Sequence, residues 1–311
     1  MERRNFLKTT AAGVAGISLL GIPFNTEAAS QEIKLTILHT NDQHSRIDPF
    51  PDDGRQYGGM GGMARRATLI SDIRKQEANV LLFDSGDIWQ GTPYFNFFEG
   101  ELEYKLMTQM RYDAATLGNH DFDNGLEGLQ RQLPHAGFPF LSANYDFSNT
   151  ILNGQFKPYK VFEKQGLRIG VFGLGIKLEG LVGKKNYAET LYLDPVQKAQ
   201  EMVQVLREQE KCHLVVCLSH LGYSYVGEKI DDRKLAQRVS GIDLVLGGHT
   251  HTFMEEPEVI RHDSGHDTMI NQVGWSGLFL GRIDLTFQKK TKRKVGVRTA
   301  VLGVDNPVLT S

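Results

Sequence analysis

Cysteine is scarce: the 311-residue chain carries two, Cys212 and Cys217, on the apolar run Cys212–Leu218. In an extended strand, residues five apart face opposite sides and lie ~16 Å apart, beyond the about 7 Å between Cα atoms that a disulfide bridges. A disulfide-stapled scaffold and a thiolate zinc site are thereby excluded, and both residues read as core thiols. Charge of one sign is lacking too, with 35 Lys and Arg against 37 Asp and Glu. Without a basic excess, a nucleic-acid polymer is not the expected partner. The apolar stretch Thr9–Ile22 has fourteen residues, against roughly 20 for a membrane span, so no stable membrane anchor is expected. Neither a Gly-x-Ser-x-Gly elbow nor a Gly-Lys-Ser/Thr phosphate loop is present. Gly59-x-Gly61-x-x-Ala64 follows no strand, which excludes a dinucleotide loop there. At 40% hydrophobic and 23% charged residues the composition is that of a globular protein, not a disordered or collagen-like one.

The first residues read as a targeting segment. Arg3-Arg4, followed by Phe6-Leu7-Lys8, precedes the apolar stretch, and Ala28-Ala29-Ser30 offers small residues for cleavage. This order resembles a twin-arginine export signal over residues 1–29, which implies a periplasmic or secreted bacterial protein. No cysteine near the cleavage point offers a lipid anchor.

From Ile33 onward, short apolar runs alternate with helical periods. The runs are Ile33–Leu38, Val80–Phe83, Ala114–Leu117, Phe138–Leu141, Arg168–Leu174, Cys212–Leu218 and Ile242–Leu246. Met63, Ala67, Ile70 and Ile73 form one helical stripe; Val196, Ala199, Val203 and Leu206 form another, opened by Asp194-Pro195 as cap and first helical residue. Strands alternating with helices predict an α/β layered fold. After His251 only strand signals follow, at Glu258–Arg261, Thr268–Gln272, Gly277–Phe287 and Val295–Leu302, which predicts an antiparallel edge or a second sheet. The basic cluster between the last two reads as a solvated hairpin turn. With no repeat and no long linker, residues 30–311 read as a single domain.

The chemistry sits where strands end. Five runs lead into Thr40-Asn41-Asp42-Gln43-His44, Asp84-Ser85-Gly86-Asp87, Gly118-Asn119-His120-Asp121-Phe122-Asp123, Ser219-His220 and Gly247-Gly248-His249-Thr250-His251. In α/β sheets the crevice beyond the carboxyl ends of the strands is where ligands bind, so five segments would converge on one place. Asp42 and His44 are alternate residues that an extended segment would point into one crevice, and His249 and His251 share that spacing. Oxygen and imidazole donors without thiolate suit two divalent ions such as Mn or Zn. Asp87 is the natural bridging carboxylate, and such a pair activates water for in-line phosphoryl displacement. Asp84 reads as a structural hydrogen-bonder and His39 as a core histidine.

These motifs, with Gln90-Gly-Thr-Pro93, resemble the calcineurin-like metallophosphoesterases, and within them the catalytic domain of bacterial 5′-nucleotidases, UDP-sugar hydrolases and 2′,3′-cyclic phosphodiesterases. The likeness runs from about Ile33 to Phe287 in motif order. It implies a four-layer α/β/β/α sandwich and two metal ions. Asp42, His44 and His251 would hold one ion, Asn119, His220 and His249 the other, and Asp87 both. His120 would meet the phosphate and protonate the leaving oxygen, with Asp123 orienting its ring. Ser45 and Asp121 stand where the family commonly has glycine and glutamate; neither is a ligand position. The implied substrate is a small phosphoester, foremost a nucleotide. Full-length members carry a second domain that stacks the base, so a separate chain is one expected source of that surface. Two alternatives stand beside this reading: hydrolysis of a thiosulfate-type sulfur ester, and a non-catalytic metal-dependent binding subunit, which would have no use for the His120–Asp123 pair.

Overall fold

The computed structural model describes residues 31–305; the export-type segment at residues 1–29 lies outside them. Six strands form the first sheet: β1 (Glu32–Thr40), β2 (Val80–Asp84), β3 (Ala114–Thr116), β4 (Phe140–Leu141), β13 (Phe279–Gln288) and β14 (Lys294–Gly303). Their order is β14-β13-β1-β2-β3-β4. Six more form the second: β6 (Tyr159–Lys164), β7 (Leu167–Leu174), β9 (Leu214–Ser219), β10 (Leu244–Leu246), β11 (Glu258–Arg261) and β12 (Asp267–Asn271), in the order β11-β12-β10-β9-β7-β6. A small ribbon pairs β5 (Tyr145–Asp146) with β8 (Leu191–Tyr192).

Side-chain alternation decides how the layers stack. Along β1, Ile33, Leu35 and Ile37 face the second sheet, where they meet a core that includes Val171, Val216 and Leu246. Leu38, with Leu82 of β2, faces the other way. There it packs under α1 (Met63–Gln76), α2 (Pro93–Phe98), α3 (Glu101–Gln109) and α4 (Gly125–Gln132). The short α5 (Lys184–Tyr187) follows β7. Beyond the second sheet, α6 (Pro195–Gln204) and α7 (Asp232–Arg238) cover Phe172, Val215 and Val245. Helices, sheet, sheet, helices: the four-layer sandwich is there. Each fully buried aliphatic side chain in these layers contributes about 1.5–3 kcal/mol.

Local signals explain some of the helix starts. Asp194 caps α6 by accepting the Gln197 N–H at 2.8 Å, and the stripe reaches Leu206 through a π-turn over Val205–Gln209. Gly62 opens α1 at φ 96°, where a Cβ would meet Pro49 Cδ at 2.9 Å. The late strands split. β13 and β14 form an antiparallel hairpin on the first sheet, with Ile33 opposite Phe287, while β11 and β12 extend the second.

Both cysteines are free and buried, but they do not face opposite sides. β9 starts at Leu214, so strand alternation does not reach Cys212, and both thiols pack in the helix-covered cluster. Among the described residues no helix is long and apolar enough to cross a membrane.

Candidate metal centre

β1, β2 and β3 run parallel in one sheet, and β9 and β10 run parallel in the other. Their carboxyl ends meet at one end of the sandwich. Hydrogen bonds stitch the two sets together: Ser85 Oγ donates to the Leu246 carbonyl at 2.7 Å, and His249 N–H donates to both Asp42 carboxylate oxygens at 2.9 and 3.0 Å.

Two groups of donors result. Asp42, His44 and His251 form one; Asp87, His220 and His249 form the other; within each, the donor atoms lie within 4.8 Å of one another. His44 Nε2 sits 2.9 Å from His251 Nε2, which lies 3.4 Å from Asp42 Oδ1. His220 Nε2 lies 3.1 Å from Asp87 Oδ2, and Asn119 Oδ1 lies 2.8 Å from His249 Nδ1. All seven residues singled out in the sequence as ligands thus meet at one place. His120 stands outside both groups, its ring edge-on to His44 at 5.3 Å between centroids. Its backbone N–H binds Asp87 Oδ1 at 2.8 Å, and its Nδ1 lies 2.8 Å from Asp123 Oδ2. Asn124 takes the cap position of α4, without a capping bond.

The backbone achieves this in an unexpected way. Asp42, His44, Asp87, His249 and His251 have φ of 50°, 49°, 55°, 71° and 52°. The extended segment expected over Asp42–His44 is instead a left-handed turn, since β1 ends at Thr40 and the chain must fold back over the crevice. Such backbone costs on the order of 1–3 kcal/mol per residue and persists only where surroundings hold it. The holds are visible: Asp42 N–H bonds the Gly86 carbonyl, His44 N–H the Asp87 carbonyl, and Ser276 N–H the Asp42 carbonyl, at 2.7–3.0 Å. Glycine is required at 248, where a Cβ would meet His220 Nδ1 at 2.9 Å and Asp42 Oδ2 at 3.1 Å.

The donor set fits divalent cations. The fully buried His220 donates Nδ1–H to the Ser85 carbonyl at 2.6 Å, which leaves Nε2, without a hydrogen-bonding partner of good geometry, turned toward Asp87. Burial opposes a charge on either residue, yet each stabilises the other's ion. His220 is pushed up to about 10, and Asp87 is held well below the usual carboxylate range. His44 and His249 are driven down by burial, His249 to about 4, so both hold free lone pairs at neutral pH. His120 is shifted up, first by its bond to Asp123.

Residues outside the two donor groups complete the centre. Asp121 accepts the N–H groups of Asp87, Ile88 and Gly118 at 2.8–3.1 Å, so it sets the backbone of a ligand position it does not itself occupy. Asp84 does bind structurally, accepting from Thr40 and Gln43 at 2.6 and 2.7 Å. The buried Arg66 reaches it through Gln43. Trp275 lies parallel to the His251 ring at 6.0 Å. His39 is buried in the core, its Nε2 accepting the Asn271 amide at 3.0 Å.

Comparison with known proteins agrees with this geometry. Residues 35–253 match the calcineurin-like phosphoesterase family. A 5′-nucleotidase of Vibrio cholerae is 34% identical over 93% of this chain and 56% of its own length. A venom 5′-nucleotidase of Crotalus adamanteus is 36% identical over 84% and 47%. The 5′-nucleotidase precursor of Thermus thermophilus superposes with a TM-score of 0.78 at 32% identity, over 87% of this chain and 54% of that one. The chain spans about half the length of these relatives. With strand-end motifs, two donor groups and fold in accord, the chain belongs to the calcineurin-like phosphoesterase family.

Proposed function

We propose that this chain hydrolyses small phosphoesters with two divalent ions, and that its substrates are of the 5′-nucleotidase type. The observation that carries the reading is the pair of adjacent donor groups with a histidine beside them that belongs to neither. Asp42, His44 and His251 would hold one ion, Asn119, His220 and His249 the other, with Asp87 serving both. Bound there, the ions would supply Lewis-acid stabilisation of phosphoryl oxygens and a water nucleophile at neutral pH. His120, accessible over about a third of its side chain, carries its proton toward the leaving oxygen from Nε2. Asp123 fixes the ring by accepting Nδ1–H, and the Asn186 amide steadies Asp123 by donating to its carbonyl at 2.9 Å. Nucleotide preference is supported by the relatives named above. Export is supported by Arg3-Arg4 and the apolar stretch behind them.

The test is phosphate release by chelator-stripped protein re-supplied with Mn, Zn or Co. The panel holds nucleoside 5′-monophosphates, UDP-sugars, 2′,3′-cyclic nucleotides and p-nitrophenyl phosphate. Metal-restored turnover with nucleotides preferred is expected. No turnover of any phosphoester with any metal would overturn the reading.

A further inference from the structure

Behind the metal centre lies a buried acid that catalysis leaves unused. Glu103, in the first turn of α3, is fully buried and has no Lys, Arg or His ion-pair partner among the described residues. Neither of its carboxyl oxygens has a hydrogen-bonding partner of good geometry, and the same holds for the buried Ser45 Oγ, Tyr104 OH and Trp89 Nε1. Buried polar atoms are almost always satisfied, so such a cluster calls for a physical account. The four are linked in two pairs, Ser45 with Glu103 and Trp89 with Tyr104, and Glu103 and Tyr104 are consecutive in the chain. The Ser45 hydroxyl is close enough to the Glu103 carboxyl to stabilise its charged form, although burial dominates and shifts the acid upward. The Trp89 ring stacks on Tyr104 at 5.2 Å, and its Nε1 edge lies against Gly100, where α3 begins. A hydroxyl, a phenol and an indole N–H supply donors; a carboxyl supplies acceptors. Their chemistry is complementary.

What the cluster touches gives it a purpose. Ser45 follows His44 in the chain, and Trp89 supplies the carbonyl that accepts His44 Nδ1–H at 3.3 Å. Both His44 and Ser45 are left-handed, at φ 49° and 50°, two consecutive strained residues without glycine's freedom. We propose that Glu103 is a positioning residue for His44: it holds Ser45, while its chain neighbour Tyr104 stacks on Trp89, and so keeps the strained turn and the imidazole of one metal group in register. The inference rests on the dimetal reading of the site. It makes Glu103 a support for the Asp42–His44–His251 group and not for the other.

Metal affinity, not turnover, is the readout. Mn²⁺ and Co²⁺ are titrated by calorimetry into stripped protein in two backgrounds. H249A leaves the Asp42–His44–His251 group intact; H251A leaves the Asp87–Asn119–His220 side. Residues that orient a metal ligand change affinity by about 10–100-fold when lost. E103L is therefore expected to weaken binding about 10–100-fold in the H249A background and less than about threefold in the H251A background. E103Q, which keeps the size and can donate and accept, restores binding to within about threefold. Should E103L fail to fold by circular dichroism, S45G carries the same test. It removes the hydroxyl while leaving a residue at ease in the left-handed region, so weaker binding from it cannot come from added strain. Equal losses in both backgrounds, or none in either, would overturn the assignment while the dimetal reading stands. Absence of any metal binding by the unmutated chain would overturn both.

Discussion

Replacing Asp123 by asparagine keeps the shape of the His120 partner and removes its charge. The bond concerned is short, 2.8 Å from His120 Nδ1 to Asp123 Oδ2, and a charge-assisted bond contributes about 1.5–3 kcal/mol. With 35% of the His120 side chain exposed, solvent screening places it at the low end, about 1.5 kcal/mol, or about tenfold in rate. That loss is expected in kcat for a nucleoside 5′-monophosphate, whose alkoxide must be protonated to leave. For p-nitrophenyl phosphate, whose phenolate leaves unaided, kcat should change by less than about threefold. The pH profile moves as well. His120 is shifted up chiefly by this bond and works in its protonated form, so without the carboxylate the alkaline fall in rate begins at lower pH. His120→Asn should cost roughly 10²–10⁴ on the nucleotide, and adding Asp123→Asn should cost nothing more, because Asp123 acts only through His120. Equal losses on both substrates, or additive losses in the double variant, would refute the assignment of His120 as the acid.

Asp87→Asn removes charge from a residue both ions are proposed to share; metal analysis should find both depleted, with turnover down by more than about 100-fold. Retention of one ion at full affinity would show that Asp87 serves a single site. Gly248→Ala places a methyl against His220 and Asp42; overpacking of about 1–3 kcal/mol is expected in urea unfolding of the stripped protein, and an unchanged midpoint would contradict the tight contact. His39, pushed down to about 3 by burial, stays neutral while the unfolded chain takes up its proton near pH 6.5. Stability is therefore lost as pH falls from about 6.5 toward 3, by about 2 kcal/mol at pH 5. Urea unfolding at pH 7.5 and 5 should show that share missing in His39→Gln; parallel losses in both proteins would count against it.

Strand ends were the legible part of this site, because an apolar run followed by Asp, Asn or His needs only local pattern to be seen. The alternation of strands and helices was legible for the same reason, whereas the four layers were implied by the family resemblance and not by any local pattern. Three things were not legible. The pairing of β1 with β13, some 250 residues on, is a choice among many strands that no local signal makes. The left-handed turn at Asp42–His44 depends on carbonyls of Gly86 and Asp87 from another segment. Asp121 and Glu103 look like ordinary acids in sequence, and their roles come from burial beside groups distant in the chain. Cys212 misled because one apolar run spanned both a loop and a strand.

Each donor group draws on both halves of the sandwich. Asp42, His44, Asp87 and Asn119 follow strands of the first sheet, and His220, His249 and His251 follow strands of the second. Neither half owns a full set. A bound ion would then act as a rivet through the seam, and its binding energy would add directly to the cohesion of the two sheets, growing as RT ln(1 + [L]/Kd). Fragments divided between β4 and β6 would each carry half a grip on every ion, the second taking β13 and β14 of the first sheet with it, so metal capture would report their reassembly. A slip of one sheet over the other would alter the spacing of both donor groups at once, even if it began at Phe83 and Phe162 in the core between them.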